Sequence, residues 1–255
     1  MQRIENEVNL KNMSQLKPKK QLALFLVGFV GLVLIELVGS LLLQSIARSA
    51  IQSDYAYQTF IESPTAGMIL NGSSYFILFV IFVILLKNDT SELFKSFKGW
   101  KPYVAAAIGF SAILTFNLLY NLILSATGVN VNDNVNESSL NSIVTVFPFA
   151  SLLLFALIGP LCEELTYRVG LFSLCRRVNR VFAYVITIIV FTLIHIDFTS
   201  GDKIVNELLN IPFYAFSAFV FSYLYEKFGL ASSLTVHVTN NLISILGAIS
   251  TVFKQ

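Results

Sequence analysis

Polar and apolar positions along this chain fall into long blocks. Apolar runs occupy residues 21–43, 69–86, 103–125, 181–199, 208–225 and 230–252. Each is close to the roughly 20 residues that an α-helix needs to cross about 30 Å of hydrocarbon. A further run, 144–160, is slightly short and leads straight into "LCEELTYRVGLF" (161–172). The blocks predict an all-α fold, a polytopic membrane helical bundle of about seven to eight transmembrane helices. The first run is longer than the roughly 7–15 residues of a signal-peptide core, so it reads as an anchor. Residues 1–20 are polar and lysine-rich and read as a mobile cytoplasmic tail. Residues 21–255 read as a single transmembrane helical domain. The segment "GVNVNDNVNESSL" (128–140) reads as a polar loop.

Composition agrees with this picture. The 255 residues are 55% hydrophobic and 13% charged, with mean hydropathy +0.73, whereas a soluble domain carries about a quarter charged residues. A net charge of +2, with no basic stripe interleaved with aromatics, gives no sign of a nucleic-acid partner. The charges are sorted by side. With residues 1–20 inside, fourteen of the seventeen lysines and arginines fall on the inner side, leaving Arg48, Lys203 and Lys254 outside. That bias predicts a multi-pass protein of the cell membrane, with seven crossings, a cytoplasmic N-terminus and an external C-terminus. Short loops and compact size suggest a bacterial plasma membrane. Trp100, between Lys98 and Lys101, reads as an inner interfacial anchor. Cys162 and Cys175 match no zinc or redox spacing and read as packing residues.

Against this background the polar residues of "EELTYR" (163–168) need a reason. Residues 144–177 read as one long helix kinked at Gly159-Pro160, and "RRVNRVF" (176–182) as the turn after it. Glu163 lies 16 residues before Asn179 and His195 lies 16 after it. In an antiparallel hairpin the two side chains reach one level, roughly 24 Å from the turn. Glu164 and Arg168 are spaced i,i+4 in the favourable order for a helical ion pair. Glu163 points about 100° away, towards Tyr167, and stays free to act on a proton. The only two histidines, His195 and His237, lie in apolar runs, and Asn241 follows His237 at i+4. Ionisable groups inside a membrane are functional-site candidates by default. Glu36 stands without an evident partner in the first run.

A carboxylate beside an imidazole can take a proton from water, and a second imidazole with an amide can stabilise an oxyanion. No serine nucleophile elbow or HExxH motif is present. The set supports amide hydrolysis within the membrane. Three motifs then stand in order: "EELTYR" as EExxxR, "FTLIH" (191–195) as FxxxH and "HVTNN" (237–241) as HxxxN. Together, over about residues 145–250, they resemble the CAAX protease and bacteriocin-processing (CPBP, or Abi) family of intramembrane endopeptidases, type II CAAX prenyl endopeptidase-like.

The resemblance implies a helical bundle with its site in a membrane cavity. It implies that Glu163 and His195 activate water, that His237 and Asn241 stabilise the oxyanion, and that Glu164 and Arg168 support the site. It leaves metal open: Glu163, His195 and His237 are the set that would hold Zn²⁺. Expected partners are the lipid bilayer and a peptide or lipidated-protein substrate, cleaved in CAAX fashion or in bacterial peptide, pheromone or bacteriocin-related processing. A membrane sensor or transporter partner is a further expectation. The alternative is a non-catalytic immunity or scaffold protein of the same family. A proton-coupled carrier is a weaker rival, because only one Gly-Pro break marks the chain.

Overall fold

A computed structural model describes residues 13–252. Every regular element among them is helical. Helix α1 spans Pro18–Ala50, α2 Asp54–Ile61, α3 Pro64–Leu86, α4 Lys101–Ala126, α5 Val135–Val146, α6 Pro148–Arg176, α7 Arg180–Leu193, α8 Ile204–Phe228 and α9 Leu230–Val252. Local chemistry sets many of these boundaries. Proline stands in the first turn of α1, α3, α4 and α6, where its missing N–H costs nothing. Asn134 Oδ1 caps α5 by accepting from Glu137 N–H at 2.8 Å, and Asn179 Oδ1 caps α7 by accepting from Val181 N–H at 2.7 Å. Gly229, at φ 83°, closes α8 and allows the immediate start of α9.

Five helices are long and apolar enough to cross a membrane: α1, α3, α4, α6 and the stretch 201–228 that includes α8. The count of seven to eight drawn from the apolar runs is therefore not reached by length and composition alone. The run 181–199 forms only the 14-residue α7, and α9 carries a polar stripe through His237, Asn240 and Asn241. Two other boundaries move. Residues 144–146 close α5 rather than open α6, and half of the expected loop 128–140 is helical, because Asn134 caps a new helix there. The Gly159-Pro160 break is absorbed without ending α6. A π-turn over Leu154–Ile158 stands just before Pro160, which has no N–H to give the helix.

The bundle has two chemically distinct ends. At one, Lys20 pairs with Asp89, Arg177 Nη2 donates to Leu16 O at 3.1 Å, and Arg176 Nε donates to Glu226 Oε1 at 2.7 Å. This basic end gathers the start of α1, residues 87–101 and the α6–α7 and α8–α9 turns. Residues 13–16 of the expected tail are packed into it, with Met13 and Leu16 each 3% exposed; residues 1–12 lie outside the described residues. At the other end, Asn132 N–H donates to Asn206 Oδ1 at 2.9 Å and Glu207 Oε2 accepts from Asp197 N–H at 3.0 Å. That end is held by amides and acids.

Candidate active site

Helix α6 carries the acidic motif into the centre of the bundle. From Glu164 to Phe172 it is wound as a π-helix, and all nine residues are buried. π-Segments inside α-helices are frequent at functional sites. Glu164 and Arg168 are wholly buried and form the expected i,i+4 pair, Oε1 to Nη1 3.3 Å. The guanidinium lies over Phe191 and Phe221, its Cζ 4.5 and 5.1 Å from the ring centroids. Its three nitrogens find no hydrogen-bond partner among the described residues, so one carboxylate and two ring faces hold the charge.

Glu163 turns towards a cavity. Its Oε1 accepts from the Tyr75 hydroxyl of α3 at 2.9 Å, and its Oε2 lies 3.6 Å from His237 Nε2. His237 Nδ1 lies 2.9 Å from Glu164 Oε1. A carboxylate paired with Arg168 can only accept, so Nδ1 donates and Nε2 faces Glu163. One imidazole thus bridges two adjacent acids. Phe221 stacks on it with centroids 4.5 Å apart.

His195 is placed differently from its expected position inside an apolar helix. Helix α7 ends at Leu193, and His195 occupies the turn that follows. Its Nδ1 donates to Phe191 O at 2.7 Å, since a carbonyl can only accept, and this leaves Nε2 as an acceptor. Tyr214 stacks on the ring at 4.6 Å, and Asn134 Nδ2 donates to the His195 carbonyl at 2.8 Å. Asn241 Nδ2 donates to Phe155 O at 3.1 Å, in the π-turn of α6, and keeps a second amide proton.

Glu163, His195, His237 and Asn241 all line one cavity of about 710 Å³. The hairpin register expected His195 to meet Glu163. Both reach the cavity, but the direct neighbour of Glu163 is His237. The register assumed two straight α-helices, and the π-winding of α6 and the early end of α7 break that assumption. Among the described residues, no three His, Cys, Asp or Glu side chains converge as metal ligands. Glu163, His195 and His237 as arranged do not fit a zinc site.

Several residues escaped sequence reasoning. Tyr75 was one aromatic among many in an apolar run. Asn134 and Glu207, both wholly buried, anchor the turn that carries His195. Glu36 proves to line the same cavity as Glu163.

Comparison with known proteins bears on this same part of the chain. Residues 145–243 match a family model described as type II CAAX prenyl endopeptidase Rce1-like. This segment is what the chain shares with that family model. It starts at the end of α5 and ends in α9, so it contains all three motifs and every residue named above except Glu36, Tyr75 and Asn134. A Mycoplasma capricolum subsp. capricolum protein described as uncharacterized is 30% identical over 190 residues, which is 69% of this chain and 54% of that protein. The UPF0177 protein YvdC of Lactococcus lactis subsp. lactis is 24% identical over 179 residues, 69% of this chain and 65% of its own length. The chain thus spans between half and two thirds of these relatives. No solved structure matches.

Proposed function

We propose that this chain is an intramembrane endopeptidase that hydrolyses a peptide bond of a membrane-associated peptide or protein with a water activated by Glu163. The observation that carries the reading is the Glu163 carboxylate, held by Tyr75 and His237 on the wall of a large cavity it shares with His195 and Asn241. The Rce1-like match over the same residues supports a peptidase at the level of the family.

The chemistry follows from the donors and acceptors. Glu163 and His195 Nε2 are both acceptors, so a water between them is oriented by two hydrogen bonds. Glu163 takes one proton as the water oxygen bonds to the scissile carbonyl carbon. The second amide proton of Asn241 donates to the oxyanion. His237 Nε2, 3.6 Å from Glu163 Oε2, receives the abstracted proton and passes it to the leaving nitrogen as the C–N bond breaks. Glu164 stabilises the imidazolium formed on the way, as a buried acid does for a catalytic histidine.

The test compares membranes that contain equal amounts of wild type and Glu163→Gln. Mass spectrometry lists peptide termini in each. Termini present with wild type and lost with Glu163→Gln are expected. Identical lists, with a biological phenotype that survives the substitution, would make the chain a non-catalytic immunity or scaffold protein of the same family.

A further inference from the structure

The lining of the cavity runs from the centre of the bundle to the end opposite the basic one. Between it and the basic end lie the buried turns of Glu164–Phe172 and Tyr225, which is wholly buried and accepts from Ser14 N–H at 3.1 Å. Towards the other end its walls continue through Asn121, Asn210, Asp133 and Glu137, at and beside the 128–134 loop. The cavity therefore reaches the end of the bundle that is poor in lysine and arginine, where a mouth would stand.

The wall is acidic. Glu36, Asp133 and Glu137 join Glu163 along it, and no lysine or arginine is among its described lining residues. The carboxylates of Glu36 and Glu137 make no hydrogen bond or ion pair with any described residue. An unpaired carboxylate within a span, as Glu36 is, is costly and is found where it serves a pathway or a ligand. A second observation is independent of the acids. Tyr167 is 3% exposed, lines the cavity, and its hydroxyl has no partner among the described residues. A hydroxyl that opens on a cavity and meets no protein partner there is available to bond what enters it. Nine of the lining residues are asparagines, which offer the donors and acceptors that an extended peptide backbone needs. A metal ion does not match, because no three ligating side chains converge among the described residues.

We infer that the cavity takes a polypeptide segment bearing lysine or arginine side chains, admitted through the mouth opposite the basic end, with Glu36, Asp133 and Glu137 facing its positive charges and Tyr167 bonded to its backbone. A free carboxyl terminus is repelled by the same wall. With the basic end in the cytoplasm, as the charge bias directs, the segment comes from the non-cytoplasmic face. The hydrolysis of this segment rests on the endopeptidase reading; its binding does not.

The test therefore reads both. Two internally quenched peptides share one apolar core and differ only in flanks, three lysines in one and three glutamates in the other. Each is added to the full chain in nanodiscs, and binding is followed by fluorescence anisotropy and cleavage by dequenching. The lysine peptide is expected to bind about tenfold or more tightly than the glutamate peptide, as like-charge juxtaposition predicts. The double substitution Asp133→Asn/Glu137→Gln is expected to bring the ratio close to one, and Tyr167→Phe to weaken both peptides alike. Equal binding of the two peptides by wild type, or a preference for glutamate, overturns the inference. Preferential binding of the lysine peptide without cleavage sustains the inference and counts against the endopeptidase reading instead. Should the double variant fold poorly, the same ratio measured for wild type in rising salt decides: charge recognition must fade, and an unchanged ratio overturns it.

Discussion

Tyr75 donates its hydroxyl to Glu163 Oε1 across 2.9 Å, joining α3 to the acidic motif of α6 over 88 positions of sequence. The bond orients the carboxylate that the proposed mechanism uses as base. Tyr75→Phe removes the donor and keeps the ring, which packs edge-on to Phe155 at 6.4 Å. A hydrogen bond to a charged group contributes about 1.5–3 kcal/mol, so kcat is expected to fall roughly tenfold or more at normal folded yield. Turnover equal to wild type on the lysine-flanked peptide would show that Glu163 is oriented without Tyr75.

The pair Glu164–Arg168 separates folding from chemistry. Both side chains are wholly buried. Removing one partner leaves an uncompensated buried charge, a loss of about 3–5 kcal/mol. Glu164→Gln and Arg168→Met are each expected to lower the folded yield sharply. The double substitution leaves no charge there and is expected to recover yield. It does not recover activity, because His237 Nδ1 still lacks a charged partner. Size-exclusion profiles and peptide turnover of the three variants check this. Activity regained in the double variant would reduce the pair to scaffolding.

Much of this site was legible in the chain. The i,i+4 spacing of Glu164 and Arg168, and the restriction of histidine to two apolar runs, needed no tertiary knowledge. Spacing rules are local, and the α6 pairing obeys them. Register over distance was legible more coarsely: it brought Glu163 and His195 to one cavity. Counting from Asn179 assumed uniform helices, and it could not show the π-winding from Glu164, the end of α7 at Leu193 or the contact of Glu163 with His237. Tyr75 could not be found at all, because nothing in an apolar run marks the one hydroxyl that will reach across to another helix. Glu36 carried a signal, an acid in a span, but no spacing to tell where it pointed.

Close backbone approach holds α1 to the back of the site. A Cβ on Gly28 would stand 1.8 Å from Thr166 Oγ1, and one on Gly170 would stand 2.9 Å from the Phe25 backbone nitrogen. Thr166 cannot swing aside freely, since its hydroxyl donates to Cys162 O at 2.7 Å and it is buried beside Leu165 and Tyr167. Overpacking of this kind costs about 1–3 kcal/mol. Gly28→Ala is expected to lower the thermal midpoint in detergent, and Gly170→Ala to do so more strongly because backbone cannot move away. Gly247→Ala, which meets open space, serves as the control. A Gly28→Ala protein as stable as that control would mean that α1 is not seated as described.

The basic end closes on a carboxylate outside the spans. Glu92 Oε1 accepts from Gln15 N–H at 2.8 Å and from Lys95 Nζ at 2.7 Å, while Lys95 also donates to Met13 O at 3.2 Å. Burial pushes the Glu92 carboxyl up, but the bonds from Lys95 and Gln15 outweigh it, so it titrates below its ordinary value of 4.5. A depressed folded value means that the ionised acid stabilises the attached state. That contribution is complete above the ordinary value and is lost as pH falls through the lower one. Residues 13–16 are therefore expected to stay attached from pH 7 to about 5 and to loosen only below the ordinary glutamate range. Hydrogen exchange at the Gln15 amide, corrected for its intrinsic pH dependence, reports this directly. Glu92→Gln is expected to exchange faster at pH 7 and to show no further acid transition. If that variant protects Gln15 as well as wild type does, the segment is held by its other contacts, those of Tyr225, Arg177 and Lys95 among them, and Glu92 has no part in the latch.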